Sequence, residues 1–160
     1  MKGREKRMKS RFGDPNDIDK IIKQLNDKEL IKRLNKKQLT SDDCKILGDL
    51  YLKKGDKKKA IEYFYKAAEK LSHDQISKAI ALYKKILNIS SNEINACEGI
   101  IGILAREGLV AEQIKYLLLQ AKMCQSKGDF SKATTIYRKV QEIDPTNREA
   151  DLFFSRGKVR

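Results

Sequence analysis

Apolar residues fall along the chain in stripes separated by three and four positions. Ala60, Ile61, Phe64, Ala67, Ala68 and Leu71 form one stripe, and Ile76, Ala79, Ile80, Tyr83, Ile86 and Leu87 form the next. That spacing places side chains on one face of an α-helix and buries them against a neighbour. No sustained alternation of Val, Thr and aromatics predicts a strand, and the chain holds only two prolines, Pro15 and Pro145. The pattern predicts an all-α protein.

Punctuation sets the helix limits. Thr40 or Ser41 can cap a helix whose first turn carries Asp42 and Asp43, acids that suit its positive end. Gly55 supplies a left-handed residue to close it, and Asp56 can cap the next helix. His73-Asp74 interrupts before the stripe that begins at Ile76. Further helices are predicted over roughly 93–107, 109–126 and 130–142, and Asp144-Pro145 precedes a short last helix near 147–155. Ahead of these, Asp14-Pro15 reads as a cap followed by a first-turn proline. Ile18, Ile21, Ile22 and Leu25 follow as one stripe, and Leu30, Ile31 and Leu34 as another.

Self-comparison shows internal repetition. Gly55-Asp56-Lys57-Lys58-Lys59-Ala60 aligns with Gly128-Asp129-Phe130-Ser131-Lys132-Ala133, and an aromatic follows each Ala by four residues, Phe64 or Tyr137. A longer register of 53 residues places Cys44 on Cys97, Tyr51 on Leu104, Gly55 on Gly108 and Ala68 on Ala121. With one inserted residue, Ala79 falls on Ala133, Tyr83 on Tyr137, Ile86 on Val140 and Ser91 on Pro145.

Leu47, Gly48, Tyr51, Gly55, Ala60, Phe64 and Ala67 stand at spacings that resemble a tetratricopeptide repeat (TPR). The segment with Ala121, Gly128, Ala133, Tyr137, Val140 and Pro145 resembles a second copy. The segment around Ala79, Tyr83 and Ile86 is a partial one, and Leu104, Gly108 and Leu117 mark a weaker one with Gln113 where Ala is expected. The resemblance implies an α-solenoid of antiparallel helix pairs, a right-handed superhelix of about seven to nine helices. A 34-residue unit does not tile a 53-residue period, so degenerate units are expected in which one helix serves two neighbours. The expected organisation is a basic tail over 1–13, a helical cap over 14–39, the repeat domain over 40–156 and a short tail over 157–160. Small residues (Gly48, Ala60, Ala67) permit close helix approach, and Tyr51, Phe64, Tyr83 and Tyr137 fill the spaces between helices.

The formal net charge is +13, and residues 1–11 hold six basic side chains against one acid. Residues 41–160 carry 22 basic and 16 acidic groups, an excess spread over a long surface. Such an excess favours anionic partners without naming one. Five lysines crowd Lys53–Lys59, but the copy at Ser126–Ala133 keeps the same turn with two. The lysine cluster is therefore decoration on a repeat turn and not a requirement of the fold. No apolar run follows the basic start and none is long enough to cross a bilayer, so a soluble cytoplasmic protein with no membrane insertion is expected.

Catalytic patterns are missing from the sequence. His73 is the only histidine, and Cys44, Cys97 and Cys124 are scattered on predicted helices with no ligand spacing. No phosphate-binding loop, dinucleotide fingerprint or nucleophile elbow is present. No enzyme activity, metal or cofactor is expected, and the cysteines read as small core residues of a reducing compartment.

Recognition remains. The resemblance implies a groove lined by the first helix of each unit: Lys45, Asp49, Leu52 and Lys53, then Asn95, Glu98 and Arg106, then Lys115, Leu118 and Lys122. A peptide or helix of a protein partner would lie there. Some family members clamp a terminal carboxylate with Lys and Asn; Lys45 matches, but Asp49 stands where Asn is wanted and would repel it. Leu152, Phe153 and Phe154 form a possible exposed apolar end, open to self-association through the last helix. The reading is a scaffold or adaptor. The alternative is a nucleic-acid-associated protein using the basic tail and surface lysines, which would want aromatics interleaved with those lysines. Most aromatics sit instead at expected packing positions.

Overall fold

A computed structural model describes residues 27–34 and 39–157. The described helices are α1 (Asp27–Leu34), α2 (Ser41–Lys53), α3 (Lys57–Leu71), α4 (Ile76–Ile89), α5 (Ile94–Arg106), α6 (Val110–Ser126), α7 (Phe130–Ile143) and α8 (Arg148–Gly157). No strand occurs among the described residues. The chain divides into two units, Met1–Leu39 and Thr40–Arg160. In the first unit α1 is the described element. The expected basic tail, the Asp14-Pro15 cap and the stripe from Ile18 to Leu25 lie outside the described residues, as do residues 158–160.

In the second unit each helix packs on the next, from α2 through α8, giving an all-α solenoid. Thr40 starts it with a capping box: its hydroxyl accepts from Asp43 N at 3.2 Å, and Asp43 Oδ2 accepts from Thr40 N at 3.0 Å. Two orphan amides are thereby satisfied. Asp56 caps α3 and Asp129 caps α7, accepting from Lys59 N at 3.1 Å and Lys132 N at 3.0 Å.

Three turns share one construction. Gly55, Gly108 and Gly128 have φ of 81°, 68° and 77°. At each, the residue after the glycine donates back five positions: Asp56 N to Tyr51 O, Leu109 N to Leu104 O and Asp129 N to Cys124 O, all at 2.9 Å. These are Schellman closures, which need a residue comfortable in the left-handed region.

The 53-residue register is a three-helix period, with α2–α3–α4 matching α5–α6–α7. Equivalent positions are equally buried: Cys44 and Cys97, Ala68 and Ala121, Ala79 and Ala133, Ile86 and Val140 are all 0 % exposed. Glycines replace side chains where a ring lies on a helix. A Cβ on Gly48 would stand 2.5 Å from Phe64 Cε1, and one on Gly99 2.5 Å from Tyr83 Cζ. Phe64 is fully buried, and Tyr83 and Tyr137 are nearly so, as their packing positions led us to expect.

At the C-terminal end, Leu117, Ala121, Cys124, Ala133, Ile136, Tyr137, Val140 and Ala150 form one core cluster. Phe153 and Phe154 pack against it, and the Phe153 ring stacks on Tyr137 with centroids 4.2 Å apart. Of the expected exposed apolar end, only Leu152 faces outward, 44 % exposed. Phe153 and Phe154 are half-buried because α8 lies on α6 and α7 and turns both rings inward.

Candidate partner-binding face

Side-chain contacts sort the helices of the second unit into two rows. Lys85 of α4 pairs with Asp49 of α2, and Lys122 of α6 lies 2.8 Å from Glu149 of α8. Across the other row, Lys132 of α7 reaches Glu98 of α5 at 3.2 Å, and Tyr65 of α3 donates to Glu93, ahead of α5, at 3.4 Å. Alternate helices are therefore lateral neighbours: α2, α4, α6 and α8 in one row, α3, α5 and α7 in the other.

This arrangement divides the sequence-derived groove residues. Lys45 and Asp49, with Leu52 and Lys53, belong to α2; Lys115, Leu118 and Lys122 belong to α6; all seven are in the first row. Asn95, Glu98 and Arg106 belong to α5 and hence to the second. Glu98 accepts from Gln120 Nε2 at 2.9 Å as well as from Lys132. Arg106 donates to the carbonyl of Ser72 at 2.8 Å and approaches His73 Nδ1 at 3.4 Å. Glu98 thus ties α5 to α6 and α7, and Arg106 ties the end of α5 to the α3–α4 connection. The cause is parity: a period of three helices in an alternating stack moves each copy to the opposite row, so α2 and α5 share a pattern but not a side.

On the first row, α6 and the start of α8 frame a cleft of about 480 Å³ lined by Ala111, Ile114, Lys115, Tyr116, Leu118, Leu119, Lys122 and Glu149. Ile114 and Leu118 form its inner side and rest on the core cluster. Leu119 is 40 % exposed, a large apolar side chain left to solvent. Sequence reasoning singled out Lys115, Leu118 and Lys122 here but missed Ile114, Tyr116, Leu119 and Glu149. The helical spacing of Ala111, Ile114, Leu118 and Lys122 was a usable signal; nothing in the sequence pointed to Glu149, which arrives from another helix.

Three lysines lie over aromatic rings, Lys59 over Tyr51 at 5.1 Å, Lys66 over Tyr63 at 5.0 Å and Lys85 over Phe64 at 4.6 Å. The separation of lysines from aromatics expected from sequence does not hold at these positions. The rings are nonetheless engaged internally: Phe64 is buried, and Tyr51 stacks on Tyr63 with centroids 5.5 Å apart.

The cysteines are free and buried, and burial raises all three thiol pKa values, that of Cys97 to about 11. Cys97 donates to Met123 Sδ at 3.6 Å inside the core. A thiolate nucleophile wants the opposite environment, exposed and electropositive. Among the described residues no group of three His, Cys, Asp or Glu side chains is placed to hold a metal ion, and no helix is long and apolar enough to cross a membrane.

No curated protein matches the chain. The Tetratricopeptide repeat family model matches residues 46–69, which span most of α2 and α3, and residues 114–147, which span α6, α7 and the turn beyond. Both matches begin on a helix of the first row and run through one of the second, so each covers a helix pair with the packing just described. At these two places the chain thus carries segments that match the tetratricopeptide repeat, each on a packed helix pair.

Proposed function

We propose that this protein is a non-enzymatic interaction module, a scaffold or adaptor that holds a peptide or helix of a partner protein. Repeats of this family generally mediate protein–protein interaction. The observation that carries the reading here is the α6 cleft, where apolar side chains continuous with the core open to solvent on a repeat helix. Concave apolar surfaces with a few charges at their edge are the usual form of a recognition site. The binding face comprises Lys45, Asp49, Leu52 and Lys53 on α2 and Lys115, Leu118 and Lys122 on α6. Three free thiols are in keeping with a cytoplasmic setting.

The test is affinity capture from nuclease-treated native lysate with the wild-type chain and a Lys115→Glu/Leu119→Ser variant in parallel. Proteins recovered by the wild type and lost with the variant support the module and its face. Recovery that is identical for both chains, or that vanishes with nuclease, overturns it.

A further inference from the structure

We infer that the α6 cleft is the contact between two copies of this chain, α6 of one lying antiparallel on α6 of the other. This rests on the interaction reading above and names the partner helix as the protein's own.

The first observation is charge. α6 and the cleft wall carry two glutamates and two lysines, Glu112, Lys115, Lys122 and Glu149, a balanced set in a chain of net charge +13. So basic a molecule repels its own kind over most of its surface, and a face of balanced charge adds nothing to that repulsion. Lys122 lies 2.8 Å from Glu149, whereas Glu112 and Lys115 are exposed and form no ion pair or hydrogen bond among the described residues. Glu112 stands in the first turn of α6, and Lys115 and Lys122 follow it. Antiparallel helices therefore bring the acid-bearing start of each copy to the lysines of the other, once on each side of the two-fold axis. A partner of one charge sign finds only half of these groups complementary.

Geometry supplies the second observation. Leu119 is 40 % exposed at the side of a cleft of about 480 Å³ whose inner wall is Ile114 and Leu118. One face thus holds an open leucine and an apolar hollow side by side. A two-fold contact uses the same patch on both copies, so the leucine of each can enter the hollow of the other. Burying this surface in a second copy removes from water the apolar area that α6 leaves open.

The experiment is sedimentation equilibrium of the full chain from roughly 1 μM to 1 mM, the range of modest affinities. The mean mass is expected to climb from one chain toward two. Leu119→Ser should weaken association about tenfold, while Leu152→Ser, on the outer side of α8, should leave it unchanged. Glu112→Lys gives the face an excess of cations and Lys115→Glu an excess of acids. Each of these variants should stay monomeric alone, and an equimolar mixture of the two should associate. All four positions are exposed, and far-UV circular dichroism checks that the variants fold. A wild-type chain that stays monomeric throughout overturns the inference. So does association lost with Leu152→Ser and kept with Leu119→Ser, which would place the contact on another face. Charge variants that each self-associate as the wild type does overturn it as well. A monomeric chain that still captures another protein, and loses it with the Lys115→Glu/Leu119→Ser variant, keeps the interaction reading without this one.

Discussion

Gly48 on α2 lies directly against the face of Phe64 on α3, with room for a hydrogen and not for a methyl group. A Cβ there would stand 2.5 Å from Cε1 and 2.7 Å from Cδ1 of a ring that is fully buried and cannot swing away. Gly48→Ala is therefore expected to destabilise by about 1–3 kcal/mol through overpacking, despite alanine's better helix propensity. Gly102 is the control: it sits inside α5 with nothing within 4 Å of an added Cβ. Gly102→Ala should stabilise by about 0.5–1 kcal/mol. Urea melts of the two variants should move in opposite directions.

Phe153→Ala removes the ring stacked on Tyr137. With the ring half-buried, the cost should be about 1–3 kcal/mol. In an array each helix stabilises its neighbours, so the effect should stay local. Hydrogen exchange should quicken in α8 and the end of α7 while α2 and α3 keep their protection.

The thiols predict an alkaline limit. Burial holds the folded pKa of Cys97 at about 11, above that of an unfolded cysteine. A raised folded pKa stabilises below the unfolded value and loses that contribution as pH rises through the folded one. Stability should thus decline from about pH 9 toward pH 11. At pH 8, Ellman's reagent should leave all three cysteines unmodified in the folded chain and titrate all three in denaturant.

Asp144 predicts the opposite sign at the acid end. Its carboxylate accepts from Asn147 Nδ2 at 3.1 Å, Thr146 Oγ1 at 2.9 Å and Thr146 N at 3.1 Å, and these bonds lower its pKa. The contribution is present above the unfolded carboxylate pKa and disappears as pH falls through the folded value. Carboxyl titration by NMR should place Asp144 below 3.8, and Asp144→Asn should flatten the acid dependence of the turn before α8.

Thr40→Ala dismantles the capping box at the head of α2. Loss of a cap costs about 0.5–2 kcal/mol, typically about 1. Thr40→Ser keeps the hydroxyl and should recover most of the loss in the same thermal melts.

The helices were legible because each end is written in local chemistry. Thr40, Asp56 and Asp129 cap, and Gly55, Gly108 and Gly128 close, each through contacts within a few residues. The three-helix period was legible for the same reason, since Cys44 and Cys97 or Ala79 and Ala133 occupy equivalent core positions. The candidate face was less so. Lys115, Leu118 and Lys122 were readable on α6, but Asn95, Glu98 and Arg106 were grouped with them on pattern alone. Pattern repeats every three helices, whereas side alternates every two. Likewise Phe153 and Phe154 looked unpartnered because the core cluster they pack on, with Tyr137 beneath Phe153, belongs to the preceding helices.

The sequence by itself determined an all-α chain, its helix limits from Thr40 onward and its tetratricopeptide character, because periodicity, capping and turn glycines act over short spans of chain. Only the tertiary structure decided which helices share a row, which carboxylates are already neutralised and which apolar side chains remain open. Those properties depend on pairs such as Lys85 with Asp49 and Lys122 with Glu149, far apart in the chain and joined only when alternate helices come to lie side by side.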